Sequence, residues 1–223
     1  MTRQILFVVA KQPAAGRTKT RLCPPLTYET AAQLYACFLQ DTLTTIRAVA
    51  DVERVIAFLP ADAELFFHTL AADMRCVAQQ GNDLGERLDL LLTNGLESGA
   101  NHVVVMSSDC PTLPPAYITQ AFAALDGGVD VVLGPSDDGG YYLIGITNPQ
   151  PRLLREVQMS TPSVLADTLA IAAELSLDVA LLPPWYDVDT LAELDRLRAE
   201  LRTQPIGSTK AAATRQFLAA FDA

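Results

Sequence analysis

Several kinds of residue are scarce in this 223-residue sequence, and each shortage removes a class of protein. Lys and Arg number 16 against 26 Asp and Glu, a net charge of −10. That sign is wrong for a general binder of nucleic acid or of a membrane surface, which needs basic residues spread over a face. The four cysteines, Cys23, Cys37, Cys76 and Cys110, contain no Cys-x-x-Cys pair, so neither a zinc site nor a disulfide framework is indicated. Reduced thiols and a cytoplasmic location are the expectation. No apolar run approaches the roughly 20 residues of a spanning helix, and the N-terminal run is too short for a secretory signal. The only histidines, His68 and His102, have no motif context that would activate Cys110, so a cysteine nucleophile is not expected. Internal repeats, low-complexity tracts and a linker dividing the chain are also lacking.

What is present is a chain 50% hydrophobic and 19% charged, able to bury one sizeable core. Short runs rich in Val, Ile and Leu predict strands over 5–10, 52–59, 74–79, 102–106 and 129–133, of the kind covered on both faces. Segments of helical period lie between them. Residues 27–49 put Leu34, Phe38 and Thr42 on one stripe with Leu39, Leu43 and Ile46 beside it, and 82–98 repeats Leu84, Leu88, Leu91, Leu92 and Leu96 at the same spacing. Pro114 and Pro115 open a further helix. The βαβαβ rhythm predicts an α/β fold of three α/β/α layers with a mainly parallel central sheet. Later segments predict a strand over 139–146, a helix over 161–176, a short strand over 178–182 and helices over 190–202 and 211–220. The expected organisation is one domain over 1–203, with 204–223 a helical extension joined through a flexible stretch over 203–209.

Four places carry candidate chemistry, each at the carboxyl end of a predicted strand, where ligands bind in open α/β sheets. The first strand empties into a loop holding Gly16 with Lys11, Arg17, Lys19 and Arg21. Backbone N–H groups and fixed cations in such a loop suit phosphate, with Lys19 a point charge and Arg17 or Arg21 a bidentate grip. The glycine spacing and Gly-Lys-Ser/Thr order of a Walker loop are absent, and a solvated basic loop is the plain alternative. In VVVMSSDCP, Asp109 ends an apolar strand, where a carboxylate can hold Mg²⁺ or Mn²⁺ against phosphates, or can simply shape the turn before proline. In GPSDDGGYYLIG, Asp137 and Asp138 cannot both face one pocket from an extended backbone. Asp138 is taken as the contact to a sugar hydroxyl or acceptor, with Gly139 and Gly140 permitting close approach, and an Asp-Gly hairpin turn is the alternative. In PPWYDVDTLAEL, Asp187 and Asp189 face the same way and could share a metal, Asp187 being preferred because Asp189 also looks like a helix cap.

Five strings in this order, AKQPAAGRTKTRL, QGNDLGERL, SSDCPTL, GPSDDGGYYLIG and DVDT, resemble the bacterial radical-SAM/selenodomain-associated transferases. That family belongs to the GT-A-like nucleotide-diphospho-sugar transferase superfamily and is distantly similar to the molybdenum-cofactor and 2-phospholactate guanylyltransferases. The resemblance spans about residues 4–200. It implies a GT-A-like fold and a nucleotide site formed by Lys11, Gly16, Arg17, Lys19 and Arg21 with Gln80, Gly81 and Arg87. It further implies a divalent metal, Mg²⁺ or Mn²⁺, on Asp109, Asp187 and Asp189, and an acceptor or sugar contact at Asp138, Gly139, Gly140 and Tyr141. Lys19, Asp109 and Asp138 would then carry the catalysis. One departure is plain: the Asp-x-Asp of these glycosyltransferases is here Ser107-Ser108-Asp109, retaining only its last carboxylate. The expected partners are a nucleotide or nucleotide-sugar donor and a small-molecule acceptor, with no nucleic acid and no membrane, and a homodimer is left open. Metal-assisted glycosyl transfer is the expected chemistry, with nucleotidyl transfer releasing pyrophosphate, or a non-catalytic nucleotide-binding module, as the alternatives.

Overall fold

Strands β1 (Gln4–Lys11), β2 (Glu53–Leu59), β3 (Arg75–Ala78), β4 (His102–Ser107), β5 (Val131–Pro135), β6 (Tyr141–Ile146) and β7 (Val179–Leu181) form one seven-stranded sheet in the computed structural model, which describes residues 2–205 and 208–221. The order is β3-β2-β1-β4-β6-β5-β7. All neighbours are parallel except β6, which runs antiparallel to both β4 and β5. The insertion follows from a hairpin: Ser136 N–H donates to the Gly140 carbonyl at 3.0 Å and Gly139 N–H to the Ser136 carbonyl at 3.1 Å. A tight turn returns the chain antiparallel, and β6 thereby occupies the slot beside β4.

Alternation along each strand divides its side chains between two cores. Ile5 and Phe7 of β1 and Val103 and Val105 of β4 join one apolar cluster, whereas Leu6, Val8, Val104 and Met106 join the other. The sheet is therefore covered on both faces, which is why its parallel strands read as unbroken apolar runs. Helices α1 (Tyr28–Arg47), α2 (Glu64–Leu70) and α4 (Pro115–Asp126) cover one face together with α7 (Leu191–Arg202) and α8 (Ala212–Phe221); α3 (Leu84–Glu97), α5 (Arg152–Arg155) and α6 (Val164–Glu174) cover the other. Leu34, Phe38, Leu39, Thr42, Leu43 and Ile46 of α1 are all buried, as their spacing requires. Thr27 caps this helix by accepting from Thr30 N–H at 3.1 Å.

Helix α8 docks on α1 through a buried carboxylate, Asp41, which accepts from the backbone N–H of Ala213 at 2.9 Å and of Thr214 at 2.8 Å. An interior residue of one helix thus satisfies the first-turn donors of another. The flexible stretch expected over 203–209 falls in part, at 206–207, outside the described residues.

At the end of α1, Arg47 grips Asp73 with two hydrogen bonds of 2.9 and 2.6 Å. Those bonds hold the Asp73 carboxyl below its usual range, at about 2. A depressed carboxylate contributes stability above its unfolded value near 4 and loses it as pH falls toward 2. Because both groups are largely exposed, Asp73→Asn is expected to cost no more than about 1 kcal/mol at neutral pH. In urea titrations across pH, the difference from the parent should vanish near pH 2.

Candidate functional site

The carboxyl ends of β1 and β4 and the amino end of the antiparallel β6 open on a cavity of about 470 Å³. Its basic wall is the loop after β1. Arg17 and Thr18 N–H both donate to the Ala14 carbonyl, at 3.0 and 3.2 Å, folding the loop into a turn that Gly16 completes at φ +72°. The chain then enters the left-handed region at Lys19, φ +50°, which sends this side chain inward. Its ammonium lies 5.7 Å from the ring centres of both Tyr35 and Phe38, and only 5% of the side chain is exposed. Lys11 and Arg17 line the same cavity and ion-pair with no described carboxylate. The Lys11 N–H donates to the Tyr35 hydroxyl at 3.0 Å, which in turn shares a hydrogen bond of 2.8 Å with Ser108.

The acidic wall is assembled from distant segments. Asp109 follows β4, with its N–H donated to Ser107 Oγ at 3.0 Å. After β7 the chain runs beside the end of β5: Leu182 N–H donates to the Leu133 carbonyl, Trp185 N–H to that of Pro135 and Asp137 N–H to that of Trp185. It then turns back so that Val188 N–H meets the Asp109 carbonyl at 3.0 Å. Asp187 and Asp189 thereby arrive next to Asp109. Lys19 Nζ lies 2.5 Å from Asp109 Oδ1 and 2.8 Å from Asp189 Oδ1, and Arg21 Nη1 is 3.8 Å from Asp189 Oδ2. Burial between two carboxylates leaves Lys19 charged: desolvation opposes the ammonium, but Asp109 and Asp189 together outweigh it and raise its pKa.

Asp187 is held differently. It accepts from Cys110 Sγ–H at 2.6 Å and from Ser136 Oγ–H at 3.0 Å. Burial, and then repulsion from Asp109, push its carboxyl up to about 6. The Cys110 thiol is itself driven well above its ordinary value, first by burial and then by Asp187. With Cys110 buried and Cys23, Cys37 and Cys76 partly exposed, Ellman's reagent is expected to leave the Cys110 thiol unmodified in the native protein and to reach it only in denaturant. Rapid labelling of Cys110 in the folded state would contradict this.

The other sequence-chosen residues divide by position. Asp138, Gly140, Tyr141 and Arg87 line the cavity with Lys11, Arg17, Lys19, Asp109, Asp187 and Asp189. Arg21 lines a second cavity of about 250 Å³ that shares Asp138, Asp187 and Asp189 with the first. Asp137 turns away to an ion pair with Arg196, so of the adjacent carboxylates it is Asp138 that faces the cavity. Four residues chosen from the sequence do not line either cavity: Gly16, Gln80, Gly81 and Gly139. Gly81, at φ +120°, instead supports Arg87, whose Nε–H donates to its carbonyl at 3.1 Å. Gly139 packs against the Pro162 carbonyl rather than clearing space for a ligand. The expected helix cap also shifts by one: Thr190 caps α7 and donates its N–H to Glu193 Oε2 at 2.5 Å, which leaves Asp189 free for Lys19. Sequence reasoning missed Gln79, Tyr35 and Thr18, all of which line the cavity. Gln79 follows β3 directly, and strand alternation sends it inward where Gln80 points out.

A divalent ion is tested by the donor set. Among the described residues no three His, Cys, Asp or Glu side chains are grouped to hold one. Mg²⁺ and Mn²⁺, however, need only one or two carboxylates when phosphate oxygens and water complete the shell. Asp109 and Asp187, whose mutual repulsion a cation would relieve, meet that requirement, so the residues fit a site completed by a ligand's phosphates.

Residues 42–161 match the family model described as "Uncharacterized protein conserved in bacteria (DUF2064)". No curated protein matches the chain in sequence. Among solved structures, a provisionally assigned nucleotide-diphospho-sugar transferase from Desulfovibrio desulfuricans G20 is 31% identical, with a TM-score of 0.90 over 100% of this chain and 98% of that one. CMP:2-keto-3-deoxy-manno-octonic acid synthetase, solved with CTP, shares the fold at 13% identity, with a TM-score of 0.57 over 90% of this chain and 99% of that one. Glucosyl-3-phosphoglycerate synthase from Mycobacterium tuberculosis, solved with Mn²⁺ and UDP, does so at 13% identity, with a TM-score of 0.54 over 99% of this chain and 78% of that one. No described helix is long and apolar enough to cross a membrane. The chain belongs to the bacterial DUF2064 family, and its three-layer fold is the GT-A-like one of nucleotide-diphospho-sugar transferases and cytidylyltransferases.

Proposed function

We propose that this protein is a group transferase acting on a nucleotide donor, with transfer of a glycosyl group from a nucleotide-diphospho-sugar as the preferred reaction and the radical-SAM/selenodomain-associated transferases as its subfamily. The observation that carries the reading is Lys19, paired with Asp109 at 2.5 Å and Asp189 at 2.8 Å on the floor of a cavity whose other cations, Lys11, Arg17 and Arg87, remain available to an anion. Cations on one wall suit a diphosphate, and the apolar side chains of Leu84, Leu88 and Met159 in the same cavity suit a flat base. The likeness to proteins solved with CTP and with UDP and Mn²⁺ favours a nucleotide over other anions.

In this reading Lys11, Arg17 and Arg87 hold the diphosphate. Lys19 neutralises the negative charge that grows on the leaving phosphate as the glycosidic C–O bond breaks. Asp138, fixed by the Gly140 N–H that it accepts at 2.9 Å, takes a hydrogen bond from a hydroxyl of the sugar or acceptor. Asp109 and Asp187 would hold a divalent cation, which when bound supplies further stabilisation of the departing diphosphate. A second reading, nucleotidyl transfer releasing pyrophosphate, is favoured by the density of cations around the loop from Lys11 to Arg21.

A thermal-shift panel of nucleoside triphosphates and nucleotide sugars, with and without Mg²⁺ or Mn²⁺, decides between them. A ligand at 100 times its Kd stabilises the native state by about 2.7 kcal/mol. One nucleotide sugar raising the melting temperature supports glycosyl transfer. A shift with triphosphate alone moves the assignment to nucleotidyl transfer, and no shift with any nucleotide removes the nucleotide reading altogether.

A further inference from the structure

Of the two carboxylates that would meet a divalent ion, Asp109 is already in contact with a cation belonging to the chain. Lys19 Nζ touches one oxygen of Asp109 and one of Asp189, and it is not a wandering surface charge. Its backbone is set in the left-handed region at φ +50°, its side chain is 5% exposed, and the rings of Tyr35 and Phe38 flank the ammonium at 5.7 Å. Around this point stand the carboxylates of Asp109, Asp187 and Asp189 and the guanidinium of Arg21, with Lys11 acting on Asp189 and Asp138 on Asp187 from the same cavity. A divalent ion on Asp109 would lie within a few ångströms of the ammonium and be repelled by it. Nor is a third grouped donor present among the described residues in compensation.

We infer that Lys19 is the resident counter-ion of this site and keeps divalent cations off Asp109 until a diphosphate draws its ammonium away. The inference rests on the phosphate site of the proposed function. A lysine carries a compact charge on a flexible stem, so phosphate oxygens entering from the side of Lys11 and Arg17 give Nζ an alternative partner while adding ligands for the metal. Diphosphate and metal then bind with mutual reinforcement, each raising the affinity of the other by the same factor.

The test is Mn²⁺ binding to the full chain by equilibrium dialysis with electron paramagnetic resonance of free Mn²⁺, on the parent, Lys19→Met, Lys19→Gln, Lys19→Arg and the double variant Lys19→Met/Asp109→Asn. Lys19→Met and Lys19→Gln, the latter keeping a donor for both carboxylates, are expected to bind Mn²⁺ at least roughly ten-fold more tightly than the parent, since each removes a unit charge next to the ion. Lys19→Arg should bind no better than the parent, and the double variant should lose the gain. Equal affinity in the parent and whichever neutral variant folds, no binding by that variant, or tight binding by Lys19→Arg would overturn the inference. A parallel melting curve of the parent with inorganic pyrophosphate and no metal keeps the two readings separate. If pyrophosphate stabilises the protein while the neutral variants bind Mn²⁺ no better than the parent, only the counter-ion role falls. If pyrophosphate has no effect, the phosphate site falls.

Discussion

Asp109→Ala is expected to lower turnover by about 10²- to 10³-fold, the scale on which a single preorganised charge matters in a transition state, while the protein remains folded. The side chain sits where the cavity walls meet, pairing Lys19 on one side and repelling Asp187 on the other. Its loss removes the anchor that aims Lys19 and one of the two carboxylates fitted to a metal. The fold has little stake in it. Val103, Val104, Val105 and Met106 of β4 are buried to 2% exposure or less, and the backbone bond from Val188 to the carbonyl of residue 109 survives the substitution. Lys19 also keeps Asp189 at 2.8 Å, so no buried charge is stranded, and the stability change should stay within about 1 kcal/mol. The measurements are kcat with the donor that the thermal-shift panel identifies and urea unfolding of the same preparation. Undiminished turnover, or a variant that does not fold, would take Asp109 out of the mechanism.

The second large effect is on stability. Gly139→Ala is expected to destabilise the protein by about 3 kcal/mol or more, combining the cost of a left-handed backbone with overpacking. Gly139 lies at φ +90°, and a Cβ placed there would stand 2.0 Å from the Pro162 carbonyl oxygen, backbone that cannot rotate aside. The same turn carries Asp138 and is tied to α6 by the bond from Leu165 N–H to the Gly139 carbonyl at 2.9 Å. The loss should therefore appear in ligand binding as well as in melting. For a domain of this size it corresponds to a fall in melting temperature of roughly 6–12 °C. Gly16→Ala is the internal control: the backbone is also left-handed, at φ +72°, but nothing lies within 4 Å of the added methyl, so only the backbone penalty of about 1–2 kcal/mol applies. Equal effects at the two positions would show that the contact with Pro162 is unimportant.

The limits of local pattern are visible at particular residues. The helix over 82–98 is readable because leucines recur at its own period and Asp83 caps it by accepting from Glu86 N–H at 2.8 Å, all within the segment. Helix α2 (Glu64–Leu70) is not: seven residues give too few turns to establish a period, and its stability comes from Phe67 buried against Phe58, with ring centres 5.1 Å apart. Gln79 lines the cavity and Gln80 does not, and two adjacent glutamines, equivalent in composition, are separated only by the phase of a strand whose end cannot be located from the sequence. Tyr35 is not among the residues that the helical period of α1 singles out. Its hydroxyl, bonded to Lys11 N–H and Ser108, belongs to the site.

Sequence alone determined the strands and the longer helices, that the strands are buried on both faces, and which charged residues stand at strand ends, because each of these is set by neighbours within a turn or a pleat. Tertiary structure decided that β6 enters antiparallel between β4 and β5, and that Asp189 rather than a solvated position receives Lys19 across 170 residues of chain. No local period encodes such pairings. They depend on which apolar faces can be covered together, and on the high cost of burying an ammonium anywhere except between carboxylates.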